Sequence, residues 1–169
     1  MDLLESRSQL PGGGHATSGG GFYHLSFRSG SRATGVSARS GFEYVTRADR
    51  YDDPDLDRAM YVESENMPSW AEDEPATYWD AADLYEGENG RLYVSTDFAL
   101  PRDLPKEDQI ELVREFAREL TDEECLPYTL AIHAGRDEHG HEHNPHAHLM
   151  FSERRHRAIS RGVVPAIES

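Results

Sequence analysis

The pattern of apolar and polar positions predicts four strands and three helices. Phe22 to Arg28 alternates, with Tyr23, Leu25 and Phe27 on one face, and reads as a strand. A Ser/Gly/Arg loop follows, and Ser37 to Arg47 reads as a helix in spite of Gly41. Tyr51 to Asp57 is an acidic loop. Pro75 stands where a first helical turn tolerates proline, and Tyr78, Trp79, Ala82 and Tyr85 recur at helical spacing until Gly87 to Gly90 end the run. Leu92 to Phe98 alternates as a second strand. Pro105 opens a third helix with Ile110, Val113, Phe116, Ala117 and Leu120 inward. Tyr128 to His133 is a strand, 134–145 a polar loop, and His146 to Ser152 the last strand. The order β, α, α, β, α, β, β, closed by a hairpin, predicts an α+β fold: an antiparallel β-sheet with helices on one face.

A chain of 169 residues is one domain with room for a single core. The glycine runs Gly12-Gly13-Gly14 and Gly19-Gly20-Gly21 predict a disordered leader over residues 1–21, ahead of a folded domain over 22–153. Residues 154–169 form a short Arg-rich tail. The leader lacks an apolar signal core, and no apolar run reaches the roughly 18 residues of a membrane span. Cys125 is the only cysteine, which excludes an internal disulfide and points to a reducing, cytoplasmic setting with no membrane partner.

A net charge of -15 argues against a nucleic-acid partner until its distribution is considered. Residues 1–50 carry 6 basic and 4 acidic side chains, residues 51–125 carry 6 and 23, and residues 126–169 carry 5 and 5. The acid is concentrated mid-chain. Lys106 apart, every basic residue is Arg, the better fork for phosphate oxygens. Any grip on DNA is therefore local, modest and salt-sensitive.

Five of the nine histidines lie between His139 and His148. His146 and His148 are two apart on a strand, so both imidazoles leave one face. His133 ends the preceding strand, and a hairpin sets it across from them. Three imidazoles at one rim make a facial site for a divalent ion, with positions left open for substrate oxygens. Any one of these histidines is as readily a polar residue at a strand end; the convergence of three favours ligands. Asn144-Pro145 is a turn that fixes where the last strand starts. His139, His141 and His143 alternate with Gly140 and Glu142 in the loop and read as solvated.

"AIH" followed by "NPHAHLM" resembles the MobA/MobL relaxases, of the His-hydrophobic-His endonuclease superfamily. "FYHLSF", "SARSGFEYVTR", "MPSWAEDEPATYWDAAD" and "FALPRDLPKEDQIELVREFA" resemble that family's opening strand, tyrosine helix, tryptophan segment, and "ALP" strand with its following helix. The likeness covers about residues 22–153. It implies a metal-dependent, strand-specific DNA nickase and strand transferase that acts in conjugative mobilisation of plasmids. It places the nucleophile at Tyr44, the metal ligands at His133, His146 and His148, and the acidic residue of the "ALP" strand at Asp97. The cofactor it implies is Mg or Mn. The partners are single-stranded DNA at a transfer origin and accessory mobilisation proteins. This chain departs from the family in Arg39-Ser40-Gly41-Phe42-Glu43, where an Ala-rich run usually precedes the Tyr, and in stopping at Ser169 where many members continue.

A phenol ordinarily keeps its proton at neutral pH, so attack requires its loss or nearby positive charge. The product, a phosphotyrosyl linkage, retains the energy for rejoining the strand. Spacing does not single out Tyr44 among eight tyrosines, and Tyr51 is its nearest rival. Asp97 shares a strand face with Tyr93 and Ser95, where its carboxylate either fixes the tautomer of a ligand His or is solvated. Asp83 and Glu86 lie one turn apart on a helix, a pattern more often solvated than part of a site. Arg28, Arg32, Arg39 and Arg47 are the candidate phosphate contacts near Tyr44. A second reading is a non-catalytic relaxase remnant that binds DNA or a partner through its acidic middle.

Overall fold

The computed structural model describes residues 23–48, 59–135, 139, 141 and 144–154. The leader, the acidic loop with Tyr51, His143 and the tail beyond Arg154 lie outside the described residues.

Five strands form one antiparallel sheet: β1 (Tyr23–Ser31), β2 (Ala59–Glu65), β3 (Arg91–Ala99), β4 (Tyr128–His133) and β5 (His146–Phe151). Three α-helices accompany them among the described residues: α1 (Ala38–Thr46), α2 (Ala76–Tyr85) and α3 (Lys106–Thr121). The spatial order is β1-β3-β5-β4-β2, so β5 is central and β1 and β2 are edges. The fold is α+β, as the pattern predicts.

Two expectations need correction. The first is that helices cover both faces, not one. Val94, Phe98, Leu130, Ile132 and Leu149 meet Val113, Phe116 and Leu120 of α3 on one side. Ala131 and Met150 meet Val45 of α1 and Tyr78, Trp79 and Ala82 of α2 on the other. A sheet whose inner strand β4 is buried along its whole length requires cover on both sides. The second is β2, a strand between the first two helices that the pattern did not reveal. One of its faces reads Tyr61, Glu63, Glu65, so the apolar alternation that marks a half-buried strand is missing. It is an edge strand, recruited by backbone pairing to β4.

The other edge reverses the lesson. The alternation of Leu25 and Phe27 identified β1, yet both side chains are 38% exposed. Phe27 is paired with Thr96 on the α3 side, at the rim of the sheet. The opposite face of β1 and β3 carries Ser26, Arg28, Asp97, Ser95 and Tyr93 in register. That polar face lies beside α1.

Gly41 explains itself in the packing of α1. A Cβ there would stand 3.3 Å from Met150 Cε and 3.3 Å from the Tyr93 ring. The missing side chain lets α1 lie close on β3 and β5, and offsets glycine's helix cost of about 1 kcal/mol with contact.

Candidate active site

The hairpin of β4 and β5 pairs His133 with His146 and Ala131 with His148. Strand parity then sends all three imidazoles to the α1 side, where Met150 also points. Pro145 helps set the register: its carbonyl accepts from Leu100 N at 2.7 Å, so β5 starts where β3 ends. The rings of His133 and His148 lie 4.3 Å apart, tilted by 37°. His139 and His141 are exposed in the loop, as expected of solvated residues.

Over this rim lies α1. Tyr44 meets the His148 ring edge-on, with centroids 5.8 Å apart, and is itself 43% exposed. Val45, the next residue, is buried, and its carbonyl accepts a hydrogen bond from His133 Nε2 at 2.7 Å. A carbonyl only accepts, so this contact leaves the lone pair of His133 on Nδ1. It is the kind of tautomer-fixing contact that the sequence offered as one of two readings of Asp97. Asp97 is paired in register with His148, but its carboxylate faces Arg28 at 3.7 Å.

A cleft of about 340 Å³ opens between α1 and the sheet. Tyr44, His148, Arg28, Asp97 and Ser95 line it, over a floor that includes Met150. Arg47 follows α1 in the left-handed conformation (φ 57°), and its guanidinium lies 4.7 Å from the centroid of the Tyr44 ring. Of the four candidate arginines, Arg28 lines the cleft and Arg47 lies over the Tyr44 ring that lines it. The other two are committed elsewhere. Arg32 donates to the Glu86 carbonyl, and Arg39 bridges Glu43 and Asp80.

Burial pushes the His148 imidazole down to about 3, with help from the positive charge of His133, Arg47, His146 and Arg28. His148 is thus a neutral ring with a lone pair to offer at any ordinary pH. His146 Nδ1 is buried with no hydrogen-bond partner among the described residues. An orphaned ring nitrogen beside a neutral imidazole fits a cation held at this rim. As the side chains stand, no three His, Cys, Asp or Glu among the described residues are arranged to hold a metal ion. The His133 contact with Val45 occupies one of the nitrogens concerned.

Sequence reasoning undervalued Asp83 and Glu86. Neither is a solvated helix-face acid. Asp83 accepts from Ser37 Oγ, Ala38 N and Arg39 N. Glu86 is buried and paired with Arg154. Their one-turn spacing, and the resemblance to a family that often has acids there, do not say what they face.

The MobA/MobL family profile matches residues 28–162. Mobilization protein A of Escherichia coli is 50% identical over 139 residues, covering 82% of this chain and 19% of its own length. The 43 kDa relaxation protein of Salmonella typhimurium is 40% identical over 143 residues, covering 82% of this chain and 36% of its own. This chain therefore corresponds to a minor part of both relatives. Among solved structures, one described as the molecular basis of vancomycin resistance transfer in Staphylococcus aureus superposes with a TM-score of 0.60. It has 26% identity over 79% of this chain and 71% of that one. Profile, relatives and fold agree, and the chain belongs to the MobA/MobL family.

Proposed function

We propose that this protein is a relaxase domain that nicks single-stranded DNA at a plasmid transfer origin, with Tyr44 as nucleophile. The observation that carries the reading is the edge-on contact of a half-exposed tyrosine with a partly buried, neutral histidine, at a cleft lined by Arg28, with Arg47 over the tyrosine ring. Tyr44 Oη attacks the scissile phosphorus. The new bond is tyrosyl O–P, and the bond that breaks joins phosphorus to the leaving sugar oxygen. The phenol proton departs and the leaving oxygen gains one. Arg28 and Arg47 neutralise the phosphate oxygens as charge accumulates there. The bond energy stays in the phosphotyrosyl ester, so the strand can be rejoined.

His133 through Nδ1, together with His146 and His148, would hold the divalent ion. That ion would supply charge to polarise the phosphate. Of Mg and Mn, an all-imidazole set favours Mn, since Mg takes oxygen ligands. Holding the ion would require these rings, already on one face, to turn toward a common point. Accessory mobilisation proteins are the partners that a nicking domain of this kind would serve.

The test is covalent capture with Mn and oligonucleotides tiling the DNA beside this gene. The wild type should leave an adduct that survives denaturation, and the His146→Ala/His148→Ala double variant should leave none. Binding of an oligonucleotide without any adduct would instead support the non-catalytic module.

A further inference from the structure

We propose that Asp83 is a positioning residue for the nicking reaction: its carboxylate fixes the N-terminus of α1 and so sets Tyr44 against His148. The proposal rests on the reading of Tyr44 as nucleophile. It starts from the weakness of α1 as an isolated helix. With nine residues, an interior Gly41 and β-branched Val45 and Thr46, it is too short and too poor in helix formers to hold its own place. Its position must come from ties to its neighbours.

Those ties are complete at the N-terminus. Asp83 Oδ1 accepts from Ala38 N at 2.7 Å, and Oδ2 from Arg39 N at 3.0 Å and Ser37 Oγ at 2.7 Å. Ser37 Oγ in turn accepts from Ser40 N, and the Ser37 carbonyl from Gly41 N, each at 3.0 Å. The amides of Ala38, Arg39 and Ser40 are thus satisfied ahead of the first intrahelical bond at Gly41, two of them by one carboxylate from another helix. Its charge also suits the positive end of the helix dipole. Arg39 adds a second tie to α2 at Asp80, 2.9 Å away.

The anchor is itself rigid. Trp79 of α2 is fully buried and its indole donates to Thr129 of β4 at 3.3 Å. At the other end of α1, the Val45 carbonyl meets His133, also on β4. The helix is therefore fixed at both ends to elements that rest on one strand, with Tyr44 between the two. Loss of the Asp83 tie frees α1 to pivot about its C-terminal contact. A displacement of about 1 Å in a nucleophile is enough to cost on the order of a hundredfold in rate.

The experiment compares wild type, Asp83→Asn and Ser37→Ala. Three readouts are the far-UV spectrum with the melting temperature, the single-turnover adduct rate against oligonucleotide concentration, and the nuclear Overhauser contact between the Tyr44 and His148 rings. Asp83→Asn should lower the maximal adduct rate by about tenfold or more. The half-saturating oligonucleotide concentration should stay within about twofold, and the ring contact should weaken. Ser37→Ala loses one acceptor and one donor, so it should lie between the two. It carries the test if Asp83→Asn does not fold. A maximal rate within about twofold of wild type in folded Asp83→Asn overturns the proposal, as does one in Ser37→Ala should Asp83→Asn not fold. So does a rate that falls only in proportion to the folded fraction. If the wild type forms no adduct, the nicking reading fails. The ring contact then decides alone whether Asp83 places Tyr44.

Discussion

His148 is the residue at which burial and chemistry meet. In an unfolded chain it takes a proton near pH 6.5, whereas in the fold burial and its positive neighbours hold that event to about 3. Between those values the unfolded chain binds more protons than the folded one. The contribution of His148 to stability is therefore intact above about pH 6.5 and is lost as pH falls toward 3. Without metal, the urea midpoint of the wild type should drop further than that of His148→Gln between pH of about 7 and about 4.5. Parallel curves would show that His148 titrates as in a peptide. At this scale the sequence was readable for the three histidines, because strand parity and a hairpin are local rules. It did not reveal the partners of Asp83 on Ser37, Ala38 and Arg39, which lie more than 40 positions away.

Elements were legible in proportion to how much of their burial is one-sided. Helix α3 buries Val113, Phe116, Ala117 and Leu120, and its boundaries could be read from Pro105 onward. Edge strand β2 carries Glu63 and Glu65 and left no such pattern. Strand β1 carried the pattern without the burial. That difference has a measurable consequence. Phe116 packs edge-on against Phe98 with centroids 5.0 Å apart, so Phe116→Ala should cost about 3–5 kcal/mol in urea unfolding. Leu25→Ala, at a rim that is 38% exposed, should cost about 1 kcal/mol or less. Comparable losses would mean that β1 is covered in solution. Gly41 belongs to this scale too. With Met150 and the Tyr93 ring both 3.3 Å from a Cβ at this position, Gly41→Leu should lift α1 and reduce adduct formation.

For the whole molecule, the charge map resolves the conflict between a net charge of -15 and a nucleic-acid substrate. Arg28 lines the cleft and Arg47 lies over the Tyr44 ring, while Arg32 and Arg39 are tied into the fold. Two phosphate contacts on a single strand give a salt slope of about -1.4, and the tail arginines would extend it toward about -4 at most. A steeper slope, or equally tight binding of a random duplex, would show a basic surface that the charge map does not contain. The family's helix, histidine and tryptophan segments were legible as motifs. How they assemble was not, because the two-sided packing of the sheet depends on contacts between distant segments. The central claim concerns one bond. The adduct formed with Mn should be digested with protease and nuclease, and the nucleotide-bearing peptide sequenced by mass spectrometry. The account predicts a phosphonucleotide on Tyr44, and no adduct from Tyr44→Phe although that variant still binds the oligonucleotide. Attachment at Tyr51, or an undiminished adduct from Tyr44→Phe, would contradict it.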